Sequence, residues 1–365
     1  MGISVDDKVH VGATPYVREL IYTICPVLVA SNVALELGWI DDELARVGAK
    51  ATYLRSEESS TPWQVHYTHD SDDLIRDGGN SPAIQAKADI HDTILLGVTQ
   101  AQPGGKIIVR ADADIYRVAD LRGRRIGLYK SLQTEKIDHR RSTSDRGVRI
   151  ALGVNGVARD EVEIVDIEDQ DAHTEKKSRT PAGIWAQRHL GETAVAEGVY
   201  TREARALLDG RVDAIFDYSI GVSKRLEASG LFKVIEDLDR HPDWTLHIAN
   251  SPRTLAVSRE FADRNRDVVV AWLRACIRAG RWINANREAA ADIFLRTTNY
   301  VDTAEIAKAL RRYDLVPNLS PQNLSGLTVE KNFLRDHGYI RNDFDVAGWA
   351  DASYLEEALA SLRSS

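Results

Sequence analysis

Apolar, strand-like runs alternate with helix-start signals over the first 110 residues, and this order constrains the fold more than any other feature. Residues 16–25 read as a first strand, 49–54 alternate as a second, and 93–98 and 106–110 are further apolar strands. Helix signals fall between them. Pro26 follows Cys25 directly and opens a run that reads as helix to about Gly38. Proline suits the first helical position, where its missing N–H would be unpaired anyway. Ser81 and Pro82 have the character of an N-cap and a first helical position. Strand, helix, strand, helix and strand in this order predict an α/β lobe with a largely parallel sheet.

The rest of the chain extends the pattern. Residues 118–128 read as a short helix, a turn and a strand. The charged stretch 130–147 has no clear period and reads as a surface loop, partly helical; 168–182 is polar and loop-like. Residues 162–166 read as a strand, and 203–216 as a helix, a glycine stop at Gly210 and a buried strand. An extended return at 246–257 leads into a C-terminal third that is almost all helix. There Val268, Trp272, Cys276 and Ala279 share helical spacing, which makes Cys276 a core residue. The expected architecture has two lobes around a cleft: lobe I from 1–110 and 250–365, lobe II from 111–249. Ligands in such folds lie outside the carboxyl ends of the strands.

Composition limits the function classes. The 365-residue chain carries a formal net charge of −8, so no electrostatic footprint for nucleic acid is expected. No apolar run approaches the roughly 20 residues that span a bilayer. Two distant cysteines and no signal peptide favour a cytoplasmic protein without a disulfide framework. The chain is expected to work as a monomer.

Cys25 is the residue with the most chemistry around it. A cysteine capping a helix that begins at Pro26 would sit among free N–H groups, where a thiol ionises more easily and an anion binds well. An isolated cysteine in an apolar run is more often an inert core residue. Its candidate partners lie on two loops. Thr23 precedes it, and His66 and the run Arg76-Asp77-Gly78-Gly79 follow. A histidine can tune a thiol. Arg76 offers a planar fork that matches a two-oxygen anion. Gly78 and Gly79 let the backbone approach an oxyanion closely. The run His66-Tyr67-Thr68-His69-Asp70 hints at a metal, but no second ligand pair stands at a recognised spacing, so no metal is expected.

At these residues the sequence resembles the aryl sulfinate desulfinases. Cys25-Pro26-Val27, His66-Tyr67-Thr68 and Arg76-Asp77-Gly78-Gly79 with Pro82 behind it carry the specific likeness. Weaker similarity at Ala119-Asp120-Leu121, Gly210-Arg211-Val212-Asp213-Ala214 and Ala279-Gly280-Arg281-Trp282 is shared with the wider superfamily of sulfonate and nitrate solute-binding proteins. The resemblance implies a two-lobed periplasmic-binding-protein-like fold of type II, with mixed, mainly parallel sheets. It implies a hydrolase that cleaves the carbon–sulfur bond of an aromatic sulfinate without cofactor, releasing sulfite and the arene. Cys25 then matches the catalytic cysteine, His66 the active-site histidine and Arg76 the sulfinate-binding arginine. Gly79 matches a glycine whose N–H assists, and Thr23 stands in for a serine. Cys25 is either a proton donor or a nucleophile. The alternative is a solute-binding protein or cytoplasmic sensor for a small sulfonate-like anion.

The chain departs from the family at several points. Asp77 and His69 replace aromatic residues, and Asp77 beside an anion clamp is expected to face outward. The segments 130–147 and 168–182 differ strongly. Trp63, Trp185, Trp244 and His247 are candidates for an aromatic pocket.

Overall fold

The computed structural model describes residues 18–99, 104–171, 177–185, 201–247, 252–300 and 302–363. Among these residues ten strands form two five-stranded sheets. The first contains β1 (Arg18–Ile24), β2 (Ala49–Tyr53), β3 (Leu74–Gly78), β4 (Thr93–Thr99) and β10 (Arg253–Ser258), in the order β2-β1-β3-β10-β4. The second contains β5 (Lys106–Arg110), β6 (Arg125–Ser131), β7 (Glu163–Asp169), β8 (Ala214–Asp217) and β9 (Phe232–Asp237), in the order β7-β6-β8-β5-β9. Each sheet has a parallel trio and one inserted antiparallel strand: β10 in the first, β5 in the second. The protein is a two-lobed α/β fold with mixed sheets. β5 already pairs in the second sheet, so the crossing between sheets precedes Lys106, earlier than the expected boundary at 110.

Each lobe has its own core. Leu20, Val33, Ile75, Leu255, Trp272 and Phe294 anchor the first. Ile107, Leu121, Ile126, Val148 and Phe216 anchor the second. Strand β4 is buried along its whole length, which explains why 93–98 reads as a continuous apolar run rather than an alternating one. β3 is buried too, but with Arg76 and Asp77 inside it the segment reads as a loop in the sequence. The helix Arg266–Ala285 packs a broad apolar face on the first sheet, and Cys276 lies on it, fully buried.

Three local expectations are corrected. The helix after Cys25 does not begin at Pro26; it runs Ala30–Glu36, with extended Val29 before it. A helix from Pro26 would need the carbonyls of residues 25–27 for its own amides. Each is taken elsewhere: Val27 N–H bonds Cys25 O, Asn32 Nδ2 bonds Val27 O at 3.0 Å, and Asn299 N–H bonds Pro26 O. The second helix begins at Asn80 rather than Pro82, because the Ser81 hydroxyl donates to Glu330 instead of capping. The stretch 130–147 is not a surface loop. β6 continues to Ser131, and the helix His139–Val154 starts at an Asp138 cap that accepts from Arg141 N–H at 3.0 Å. Its first turns present a polar face, burying Ser142, Thr143, Ser144, Asp145 and Arg146, and give no apolar period there, while Val148, Ala151 and Leu152 further along join the second core. Of the other expected loop, β7 extends to Asp169, and 172–176 lie outside the described residues.

That polar face joins the lobes. Arg146 forms an ion pair with Glu330 on the helix Pro321–Asp336, and both are buried. Ser81 Oγ donates to the same carboxylate at 3.3 Å. Burial pushes the Glu330 carboxyl up from its ordinary range, against the pull of Arg146 and Ser81. Removing one member of a buried pair strands the other charge. Glu330→Ala should therefore cost about 3–5 kcal/mol, read as a lower urea midpoint.

Candidate active site

Cys25 leaves the carboxyl end of β1 and continues the ladder by bonding Asp77 O at 2.9 Å. β1 and β3 run parallel with Thr23 beside Arg76, so three of the expected residues share one strand edge. The short helix Val65–Thr68 precedes β3 and delivers His66 to the same place. The sulfur is thus seated at strand ends and not on a helix cap. Its room comes from Gly78: a Cβ there would lie 2.3 Å from Cys25 Sγ.

The contacts around the sulfur are direct. Cys25 Sγ lies 3.5 Å from His66 Nε2 and 3.2 Å from Arg76 Nη2. Thr23 Oγ1 lies 2.6 Å from His66 Nδ1, so the two groups share one proton and fix the ring tautomer between them. If the threonine hydroxyl donates, Nε2 carries its proton toward sulfur; if Nδ1 donates, Nε2 is free to accept from the thiol. Burial, then the Arg76 charge, hold His66 well below the ordinary histidine range. It is a neutral imidazole near pH 7.

Arg76 is buried and more committed than a free anion fork. Nε donates to His66 O at 3.0 Å, Nη1 to Gly79 O at 2.7 Å and Nη2 to Cys25 Sγ. Three of its five N–H groups thus tie together the histidine helix, the glycine turn and the sulfur. Asp77 does not face outward. It turns to the other face of β3, is buried, and accepts from Ser31 Oγ at 2.6 Å. Burial raises its carboxyl to about 6, against the Ser31 bond and the Arg76 and Arg253 charges. His69 is also buried, in a left-handed conformation, with Nε2 lacking a partner.

These groups open onto a cavity of about 560 Å³, ordinary for a small-molecule site. Of the four aromatic candidates, Trp63 and Trp185 line it and Trp244 does not; the His247 side chain lies outside what the structure describes. Trp63 stacks on His66 with centroids 4.5 Å apart. Tyr67 and His139 stack at 5.5 Å across the lobes. The opposite wall carries Arg140, paired with Glu203 at 2.8 Å. Arg253, at the start of β10, was not singled out by sequence reasoning. Its one signal is a cation opening an apolar strand. Among the described residues no cluster of three or more His, Cys, Asp or Glu side chains is arranged to hold a metal. No described helix is long and apolar enough to cross a membrane.

No family model matches the chain. It is 25% identical over 368 residues to the 2'-hydroxybiphenyl-2-sulfinate desulfinase of Rhodococcus erythropolis, covering 93% of both chains. The chain is aryl sulfinate desulfinase-like. The R. qingshengii desulfinase matches with the same identity and coverage. The fold of this desulfinase-like chain is that of the desulfurization enzyme DSZB. A cysteine-to-serine mutant of DSZB in complex with biphenyl-2-sulfinic acid superposes with a TM-score of 0.73 at 22% identity, over 94% of this chain and 99% of that one. The alkanesulfonate-binding protein SsuA from Xanthomonas axonopodis pv. citri, bound to MOPS, shares the fold with a TM-score of 0.57 at 14% identity, over 93% and 99%. The fold is therefore the periplasmic-binding-protein-like one expected from the sequence.

The site separates the two cysteines. Burial, with Asp77 nearby, pushes the Cys276 thiol well above its ordinary range, whereas Cys25 is half-buried at the cavity wall. Iodoacetamide near neutral pH should alkylate Cys25 and leave Cys276 unmodified, as peptide mapping would read; equal labelling would contradict this arrangement. Asp77 sets a pH dependence of stability. Its folded carboxyl, at about 6 against an ordinary 3.8, binds its proton more tightly than the unfolded one. The stability it contributes is complete below the ordinary value and is lost as pH rises through about 6, on the order of 2–3 kcal/mol. Asp77→Asn should flatten that part of a denaturation-versus-pH curve.

Proposed function

We propose that this protein is a hydrolytic desulfinase that cleaves the carbon–sulfur bond of an aromatic sulfinate without a cofactor. The observation that carries this reading is one sulfur within hydrogen-bonding reach of both a histidine ring and an arginine, on the wall of a partly aromatic cavity. The kinship with the desulfinases supplies the reaction class. Overall, a sulfinate and one water become the arene and hydrogen sulfite.

Cys25 acts in one of two ways. As an acid, its thiol proton goes to the ring carbon bearing sulfur. The carbon–sulfur bond then breaks, sulfur dioxide leaves, and water converts it to sulfite while a proton returns to the thiolate. As a nucleophile, the thiolate attacks the sulfinate sulfur, the departing ring carbon takes a proton, and water opens the resulting sulfur–sulfur bond. Both routes place negative charge on Cys25 Sγ. Arg76 Nη2 stabilises it, a charge-assisted bond worth on the order of 1.5–3 kcal/mol. His66 contributes an N–H toward sulfur, in the tautomer set when Thr23 donates to Nδ1. Gly78 leaves space for the sulfur, and Gly79 lies at the substrate wall. The substrate is a small aromatic sulfinate whose ring lies along Trp63, Tyr67 and Trp185.

Cys25→Ser should fold, bind benzenesulfinate and release no sulfite above background in a colorimetric assay across a panel of aryl sulfinates. Undiminished turnover in that variant would remove the cysteine from the mechanism. Tight binding without sulfite release by the wild-type protein would instead favour a binding protein for sulfonate-like anions.

A further inference from the structure

Arg253 is a buried cation without a counter-charge. It is 2% exposed and lines the same cavity as Cys25. Its Nε is buried with no hydrogen-bond partner, and its guanidinium makes no hydrogen bond or ion pair among the described residues. Burial lowers the guanidinium from its ordinary value, and Cys25, ahead of Tyr300, is the group that most opposes this. Charges this deep are costly unless paired. A chain that keeps one on a cavity wall leaves its pairing to a ligand.

The need for that second cation follows from the rest of the site. Arg76 has committed three donors to His66, Gly79 and Cys25. His66 is neutral near pH 7. A sulfinate beside a developing thiolate brings two negative charges, and Arg76 supplies one positive charge. Arg253 comes from β10, whose Thr254 pairs with Gly78, so it stands next to the glycine turn at the end of β3.

We propose that Arg253 is the second anchor of the substrate's anionic group: its uncommitted N–H edge takes the sulfinate oxygens while Arg76 holds the Cys25 sulfur against them. The proposal rests on the desulfinase reading and narrows it. The ligands are aryl sulfinates held at the sulfinate itself between guanidiniums from two adjacent strands, and no second anionic substituent on the ring is required.

Binding is measured by calorimetry in the Cys25→Ser background, so that turnover is not needed. The ligands are benzenesulfinate and 2-carboxybenzenesulfinate. Arg253→Met is expected to weaken both alike, by about ten- to a hundredfold, and Arg253→Lys to recover part of the loss. The melting temperature of the unliganded Arg253→Met protein is expected to hold or rise, because an unpaired buried charge has been removed. Loss confined to the carboxylated ligand would overturn the proposal, since Arg253 would then read a ring substituent. Unchanged affinity with a lowered melting temperature would overturn it in favour of a structural role. Should Arg253→Met fail to fold, Arg253→Lys alone decides, with a several-fold weakening of both ligands expected and none contradicting. A wild-type protein that binds through Arg253 yet releases no sulfite would leave the anchor standing and remove the desulfinase reading.

Discussion

The Arg76 guanidinium holds the site together. It is one side chain on a fully buried strand, yet it bonds the carbonyl before Tyr67, the carbonyl of Gly79 and the sulfur of Cys25. Those three groups arrive from different segments, and Cys25 lies 51 residues from Arg76 in sequence. A buried charge of this kind is tolerated only when its donors are satisfied. The requirement runs both ways, since the carbonyls that satisfy Arg76 are thereby fixed in place. The position of His66 and the turn at Gly79 are consequences of burying this cation.

The seat of the sulfur follows from sheet geometry. Parallel strands β1 and β3 end side by side, so Cys25 and Arg76 line one cleft, with Thr23 buried behind His66. The positive environment comes from guanidiniums, because His66 is kept neutral by burial and by Arg76. Cys25 caps no helix, because the next one begins only at Ala30, after Val29. Charge stabilisation by fixed donors in a partly enclosed site is the form of catalysis this arrangement suits.

The cavity needs both lobes. Its first wall comes from β1, β3 and β10, and its second from the helix His139–Val154 and the segment after β8. The buried Arg146–Glu330 pair lies on the face where these halves meet, with Ser81 as third partner. Glu330 therefore links the helix Asn80–Gln85 to the second lobe through a polar contact, beside the apolar one that Ile137 makes with Ala83, Ile84 and Leu334.

The strands were legible because their apolar runs and alternation are local: β1, β2, β4 and β5 fall where the sequence puts them. The core role of Cys276 was legible from helical spacing alone. The residues gathered at the site were legible through chemistry and family resemblance, since cysteine, histidine and arginine in these segments have few bland explanations in common. Three features were not. The start of the helix after Cys25 depends on Asn299, a residue 274 positions away in sequence. The helix His139–Val154 hides its period because its first turns bury polar side chains, Ser142 through Arg146, where Arg146 meets Glu330 of the other lobe. The place of Arg253 depends on β10 entering between β3 and β4, which no local pattern encodes. Sequence alone determined most of the strands, the two-lobed class and the residues proposed to react, because backbone propensity and side-chain chemistry are properties of short segments. Tertiary structure decided which carbonyls are free, which charges are paired and which face of each strand meets the cleft, because those depend on partners brought together only when the sheets close.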